Sequence, residues 1–289
     1  LVFVTYFGSM VMANDMALIT FLPLGYFVLD SCGNKKLTAL TFIMQNIAAN
    51  LGGMLTPFGN PQNLYLYSYF NIAAGEFFKI MALPFAVAFL LILGVCLFVK
   101  PEKAEVLSAP KKTPPVWRIA LYSALFVLSV LIVFRVFPYY WGLLAVTAAL
   151  LIFDFRAVLR VDYGLLFTFC AFFVFSGNMA RIPAVEEFLG GLVALDPLAF
   201  GVLSCQVISN VPSAVLLSKF TSDYANLLVA VNIGGLGTPI ASLASLITLN
   251  TYRRVCPGQT KKYIAKFLLL NFSFLAALIG VGYLNELIV

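Results

Sequence analysis

Asn50, Gly52, Gly53, Thr56 and Pro57 fall within eight residues of otherwise apolar chain. The same types recur at Asn232, Gly234, Gly235, Thr238 and Pro239. Both stretches fit Asn-apolar-Gly-Gly-apolar-x-Thr-Pro, and the first runs on as Phe58-Gly59-Asn60-Pro61-Gln62-Asn63. Glycine lets backbone approach a ligand closely. Carbonyls freed at a helix break, with Asn and Ser oxygens, suit a hard cation such as sodium. The N–H groups and positive dipole end of the next half-helix suit an anion. Thr-Pro is expected to start that half-helix, since proline presets φ.

Two further polar interruptions accompany these breaks, Ala13-Asn14-Asp15 and Ser209-Asn210-Val211-Pro212-Ser213. Asp15 is the one acidic residue that falls at mid-depth of an apolar span, where a carboxylate is costly and by default functional. It can bind a cation, carry a proton, or cap a helix N-terminus by accepting its amides. Asn60, Gln62 and Asn63 either line a cavity or hydrogen-bond across a helix interface. Ser213, Ser242 and Ser245 are weaker candidates, because small residues also serve helix contacts. Glu76 and Lys79, three apart, read as an interfacial pair.

The elements that hold these residues are membrane helices. Of 289 residues, 62% are hydrophobic and 10% charged, too few polar groups to cover a soluble surface. Apolar runs of membrane-helix length recur down the chain, and the short alternating strands of a barrel are absent. There is no histidine, which removes Ser-His-Asp catalysis and histidine metal sites together. No P-loop is present. Cys32, Cys96, Cys170, Cys205 and Cys256 form no C-x-x-C pair and read as small apolar packers. The net charge of +6 fits basic cytoplasmic loops, not a nucleic-acid partner.

The expected fold is therefore an all-α polytopic membrane protein with inverted repeats, re-entrant hairpins and broken transmembrane helices. Residues 1–29 form a hairpin, 37–72 a broken span and 76–99 a full helix. Residues 100–118 are a polar cytoplasmic linker. Three spans follow (119–137, 139–153, 163–180), then an interfacial stretch at 182–195. A second hairpin (197–220), a second broken span (224–252) and a final helix complete the chain. The first repeat is thus 1–99 and the second 119–289. Two helix-breaking polar segments in matching positions of two halves point to the substrate site of a repeat-built transporter. Symmetry implies that about 80 residues, roughly three spans, precede Leu1 in the full protein.

With both hairpins re-entrant, 14 of the 18 Lys and Arg residues fall on one side, Lys35, Lys36, Arg253, Arg254, Lys261, Lys262 and Lys266 among them. Lys79, Arg135, Arg181 and Lys219 dissent. The basic side is the cytoplasm, so one hairpin enters from inside, the other from outside, and the C-terminus lies outside the plasma or inner membrane.

Asn14-Asp15-Met16-Ala17-Leu18-Ile19-Thr20, Thr56-Pro57-Phe58-Gly59-Asn60-Pro61-Gln62-Asn63 and Ser209-Asn210-Val211-Pro212 together resemble the ion transporter superfamily. That group includes citrate-transporter-like and divalent anion:sodium symporters, arsenite permeases and a class of sodium/proton antiporters. The resemblance implies elevator-type secondary transport, often by a homodimer, with hairpin tips that bind sodium and substrate. Carried over, Ser9, Asn14, Gly52 and Gly53 frame one sodium site. Ser209, Asn210, Gly234 and Gly235, with Cys205, frame its mirror. Cys205 stands where a serine would ligate sodium, and Ala13-Asn14-Asp15 departs from the Ser-Asn-Thr tip of the dicarboxylate branch.

The expected function is secondary active transport of a small anion, a di- or tricarboxylate or an inorganic oxyanion, coupled to sodium or protons. The alternative is a sodium/proton antiporter or arsenite efflux permease that uses Asp15. The candidate substrate contacts are Asn14, Asp15, Thr56, Pro57, Asn60, Asn63, Asn210, Ser213, Thr238 and Pro239. No catalytic residue and no cofactor beyond a coupling sodium are expected; the partners are a small anionic solute and the bilayer.

Overall fold

The structure, a computed structural model, describes residues 1–99 and 114–288. Most of the expected linker therefore lies outside the described residues. Among the described residues there are fifteen α-helices, two short 3-10 turns and no strand. The protein is an all-α, multi-pass membrane protein.

Helix α1 (Val2–Val11) and α2 (Asn14–Ser31) form the first hairpin. Met12 between them is extended and Ala13 lies at φ −52, ψ 142, so the chain reverses over two residues. A 3-10 turn at Lys35–Leu37 leads into α3 (Thr38–Gly52). The span then breaks: a 3-10 turn at Gly53–Leu55 and an irregular loop separate α3 from α4 (Pro61–Tyr69). Helix α5 (Ala74–Leu97) completes this series. Next come α6 (Val116–Val133), α7 (Tyr139–Phe153), α8 (Phe155–Leu159), α9 (Tyr163–Met179) and α10 (Pro183–Leu195). Helices α11 (Pro197–Ile208) and α12 (Asn210–Leu217) form the second hairpin, turning at Ser209. The second broken span is α13 (Tyr224–Ile233) and α14 (Leu243–Val255), and α15 (Thr260–Glu286) closes the chain.

Local chemistry sets many of these ends. Pro61, Pro183 and Pro197 occupy the first helical turn, where no N–H is needed. Asp196, Asp223 and Ser242 cap α11, α13 and α14 by accepting the amides of Ala199, Asn226 and Ser245. Among the described residues α5, α6 and α15 are long and apolar enough to cross a bilayer, and α9 with α10 is a pair bent by 100°.

By contact the chain divides into two compact units. One holds α1–α5 and the chain from Phe172 onward; the other holds α6–α8 and the start of α9. In the second unit α6 has no buried residue and α7 only Gly142, so their apolar side chains are left open within this chain. Arg118 and Tyr122 both donate to Asp154, tying the start of α6 to the end of α7. The Tyr122 hydrogen bond, with Arg118 beside it, holds the Asp154 carboxyl below the usual carboxylate range.

In the first unit α3 and α13 form the centre. Every residue from Phe42 to Gly52 and from Asn226 to Ile233 is buried, the pattern of a helix surrounded on all sides. Pro84 lies inside α5 and cannot donate to the Ile80 carbonyl. Asn285 of α15 supplies that donor at 3.0 Å. The Tyr6 hydroxyl donates to the Phe85 carbonyl one residue past the same proline, 2.8 Å away. Glu76 accepts a hydrogen bond from Tyr224, so it bridges α5 to α13 in place of the expected pairing with Lys79.

Candidate functional site

Both hairpin tips dock on a broken helix, and both do so with the same two bonds. The Asn14 amide donates to the Gly59 carbonyl at 3.1 Å, and the Asn210 amide to the Ala241 carbonyl at 2.9 Å. Thr56 Oγ1 donates to the Met10 carbonyl at 2.8 Å, and Thr238 Oγ1 to the Gln206 carbonyl at 3.2 Å. Hairpin partners are 196 positions apart in each case and loop partners 182. The same intervals relate Ser9 beside Gly52 to Cys205 beside Gly234. They also relate the Asn14 and Asn210 Oδ1 atoms, each of which accepts the next residue's amide.

These bonds explain where the half-helices begin. Thr-Pro was expected to start them, yet α4 starts at Pro61 and α14 at Leu243, four residues beyond each Thr-Pro pair. Each threonine hydroxyl is drawn back to a hairpin carbonyl, and Thr56 is extended. Helix cannot resume until Asn60 and Ser242.

The loops carry unpaired backbone groups, which must be satisfied internally at membrane depth. A long amide side chain does this in each half. Asn63 Nδ2 donates to the carbonyls of Gly53, Met54 and Thr56 at 3.1–3.3 Å. In the second loop Gln206 Nε2 donates to Gly234 and Leu236, both at 2.9 Å, and Gln206 Oε1 accepts from the Thr238 amide. Gly237, at φ +103, packs directly on Gln206, a backbone that only glycine adopts freely.

Asn232 joins the two halves. Its Oδ1 accepts from Asn60 Nδ2 at 3.0 Å and Gln62 Nε2 at 3.3 Å. Its Nδ2 donates to Asn63 Oδ1 at 2.6 Å and to the Leu228 carbonyl at 2.8 Å. All four of its hydrogen-bonding valences are filled. Asn46 adds a second tie: its Nδ2 donates to Ser245 Oγ at 3.3 Å, and its Oδ1 accepts from Thr248. Asn50 meets the first tip, accepting from Asn14 Nδ2 at 3.3 Å.

Two buried acceptors in this cluster, Asn60 Oδ1 and Gln62 Oε1, have no partner among the described residues. The Asn60 amide cannot turn around, because its Nδ2 already faces two acceptors, the Asn50 carbonyl and Asn232 Oδ1. Its oxygen therefore points beside Gly53 and stays open. Oxygen acceptors of this type, buried and unsatisfied, suit an alkali cation. No group of three or more His, Cys, Asp or Glu side chains gathers among the described residues.

The structure thus brings together Ser9, Asn14, Gly52, Gly53, Thr56, Pro57, Asn60 and Asn63 at the first tip and loop. Ser209, Asn210, Gly234, Gly235, Thr238 and Pro239 gather at the second. Ser213 turns into its own hairpin: its hydroxyl pairs with Ser204 at 2.8 Å and meets the Cys205 thiol. Asp15 is half-buried in the first turn of α2, and its carboxylate has no hydrogen bond or ion pair among the described residues. It does not cap the helix: Ala13 is the N-cap of α2, and Asn14 Oδ1 accepts the Asp15 amide at 2.8 Å. Cys205 is fully buried with Sγ against Gly234, where Ser9 Oγ faces Gly52. Sulfur is a poor ligand for a hard cation, so the two matching positions differ in chemistry. Sequence reading missed Asn46 and Gln206, although lone amides within apolar helices are a readable signal.

Ser209 sits at φ 74, ψ 157, a region open essentially to glycine alone and costing about 1–3 kcal/mol for other residues. Its counterpart Ala13 has φ −52. Ser209→Gly is therefore expected to melt above Ser209→Ala, both lacking the hydroxyl, by about 1 kcal/mol in thermal unfolding of the purified protein. At position 13 the order reverses, with Ala13→Gly less stable than the unaltered chain. Equal midpoints for the two Ser209 variants would remove the strain.

The family model described as citrate transporter matches residues 1–249. Over its whole length the chain is 33% identical to an uncharacterized transporter of Methanocaldococcus jannaschii, covering 76% of that protein. It is 34% identical over 247 residues to the inner membrane protein YbiR of Escherichia coli, which is 83% of this chain and 65% of YbiR. A 90-residue stretch, 31% of the chain, is 32% identical to a Dictyostelium discoideum protein that bears the transporter name arsB, and covers 14% of it.

Proposed function

The chain belongs to the citrate transporter family, and on that premise we propose that it carries a small anion across the membrane by secondary active transport. It is a multi-pass membrane transporter. The substrate class is a di- or tricarboxylate or an inorganic oxyanion, and the coupling ion is sodium or a proton. The observation that supports this reading is the repeated docking of hairpin tip on broken helix, Asn14 with Gly59 and Asn210 with Ala241. It places two sets of half-helix ends and glycine loops around one buried amide cluster. Half-helix N-termini then face the anion, and loop carbonyls with Asn60 Oδ1 face the cation.

The two repeats, 1–99 and 119–289, are read as inverted, with the hairpins entering from opposite sides and the C-terminus outside. Movement is of elevator type. The Asn232 ties to Asn60 and Asn63 and the Asn46 tie to Ser245 join the two broken helices. Rocking one repeat against the other would strip these buried groups at about 1–3 kcal/mol each. The hairpins and broken helices therefore travel as one body, and the protein acts as a homodimer.

A panel of citrate, succinate, sulfate, arsenite and sodium tests this reading with the full-length protein in proteoliposomes. Uptake of one anion that rises with an imposed sodium or proton gradient is expected. Gradient-independent flux, or none with any solute, would sink it.

The unpartnered Asp15 carboxylate favours a second reading, a sodium/proton antiporter or arsenite efflux permease with Asp15 as the ion carrier. Asp15→Asn separates the two. In anion symport through the amide cluster, the variant retains anion uptake within about tenfold of the unaltered protein and loses any pH dependence carried by this group. Complete loss of transport, with normal folding, transfers the proposal to the second reading.

A further inference from the structure

We propose that a basic cavity between the α2–α3 turn and the start of α15 is a binding site for a phosphate group. The cavity has a volume of about 240 Å3. Lys35 and Lys36 approach from the 3-10 turn that precedes α3, and Lys262 and Lys266 from the first two turns of α15. Gln259, the N-cap of α15, lies at the helix end whose free amides and dipole favour an anion. No carboxylate lines the cavity. Asp30 pairs with Lys35 at 2.6 Å, which leaves Lys36, Lys262 and Lys266 without an ion pair among the described residues.

A second observation points to a ligand. Tyr263 lines the cavity, stacks on Tyr252 with ring centroids 4.0 Å apart, and is 1% exposed. Its hydroxyl has no hydrogen-bond partner among the described residues. Buried donors are rarely left unmade; the hydroxyl is covered, and a phosphate drawn in by the lysines supplies its acceptor once the ring shifts toward the cavity. Orientation by the positive-inside rule asks only that lysines lie on one side of the membrane. It does not ask that segments more than 220 positions apart converge on one concave, tyrosine-floored site. The site is separate from the transport cluster and does not depend on which solute is carried.

The phosphate can belong to an acidic phospholipid at the membrane surface or to a small soluble phosphate. The purified full-length protein is titrated with dioctanoyl phosphatidic acid and, separately, with inorganic phosphate, with binding read by native mass spectrometry and thermal midpoint. Saturable binding of at least one probe is expected. Lys262→Gln with Lys266→Gln weakens it about tenfold or more, whereas the charge-matched Arg253→Gln with Lys261→Gln, outside the cavity, changes it less than about twofold. Tyr263→Phe, which keeps every charge, weakens binding about threefold without lowering the midpoint of the free protein. Binding of the lipid alone assigns a headgroup site; comparable binding of inorganic phosphate assigns a soluble ligand. Equal weakening by the two double variants, an unaffected Tyr263→Phe, or no saturable binding of either probe overturns the proposal.

Discussion

Gly52→Ala is expected to abolish transport and to lower the stability of the purified protein by about 3 kcal/mol. A Cβ on Gly52 would collide with the Tyr6 carbonyl and with Ser9 Oγ. Neither can withdraw, because Ser9 donates to that same carbonyl at 2.9 Å and both belong to the rigid end of α1. Relief requires α1 and α3 to part, which unseats the tip bond from Thr56 to Met10. Gly94→Ala is the control. That position in α5 has open space around it, and alanine in a helix gains up to about 1 kcal/mol over glycine. Thermal unfolding and proteoliposome uptake of the pair make the comparison. Similar midpoints for the two variants would show that the close approach of α1 to α3 is not needed.

Asn232→Ala should be nearly as damaging, and for a different reason. It creates little crowding or void, but it leaves Gln62 Nε2 and Asn63 Oδ1 buried without their partner and takes one of two acceptors from Asn60. At about 1–3 kcal/mol for each orphaned buried group, the loss is about 3 kcal/mol. Uptake should fall to the level of empty liposomes. Asn232→Asp tests the sense of the bonds: it keeps the acceptor but sets a second oxygen against Asn63 Oδ1. It should fare no better than alanine. Ser213→Ala, which breaks the bond to Ser204 and the contact with Cys205, should cost under about 1.5 kcal/mol and spare transport. Uptake by Asn232→Ala above half that of the unaltered protein would remove Asn232 from the role of tie between the halves.

The residues that announced the site in the sequence were those that a lipid-facing helix excludes. Asn14, Asn50, Asn210 and the Gly-Gly pairs stand out because glycine and amides interrupt apolar runs, and repetition made the interruption meaningful. What the sequence hid was direction. Thr56 and Thr238 looked like helix starts; their hydroxyls instead reach backward to the hairpins, a long-range bond that no local propensity encodes. Asn63 and Gln206 carry out the same task from different elements, one on α4 and one on α11. Pattern matching between the halves therefore could not pair them. Likewise Glu76 found Tyr224, 148 positions away, before it could use Lys79 one turn along its own helix.

The Asn232 tie also constrains how the protein can be made. Asn60 and Asn63 lie 172 and 169 positions ahead of their partner. At ribosomal rates of about 5–20 residues per second, their amides wait on the order of ten seconds for it. During that interval α3 and α4 hold polar groups that the finished protein buries. The nascent first half must therefore stay at the insertion machinery or near water, unable to settle into lipid by itself. Substitutions along this seam should register first as fewer molecules reaching the membrane, before any surviving molecule turns over more slowly.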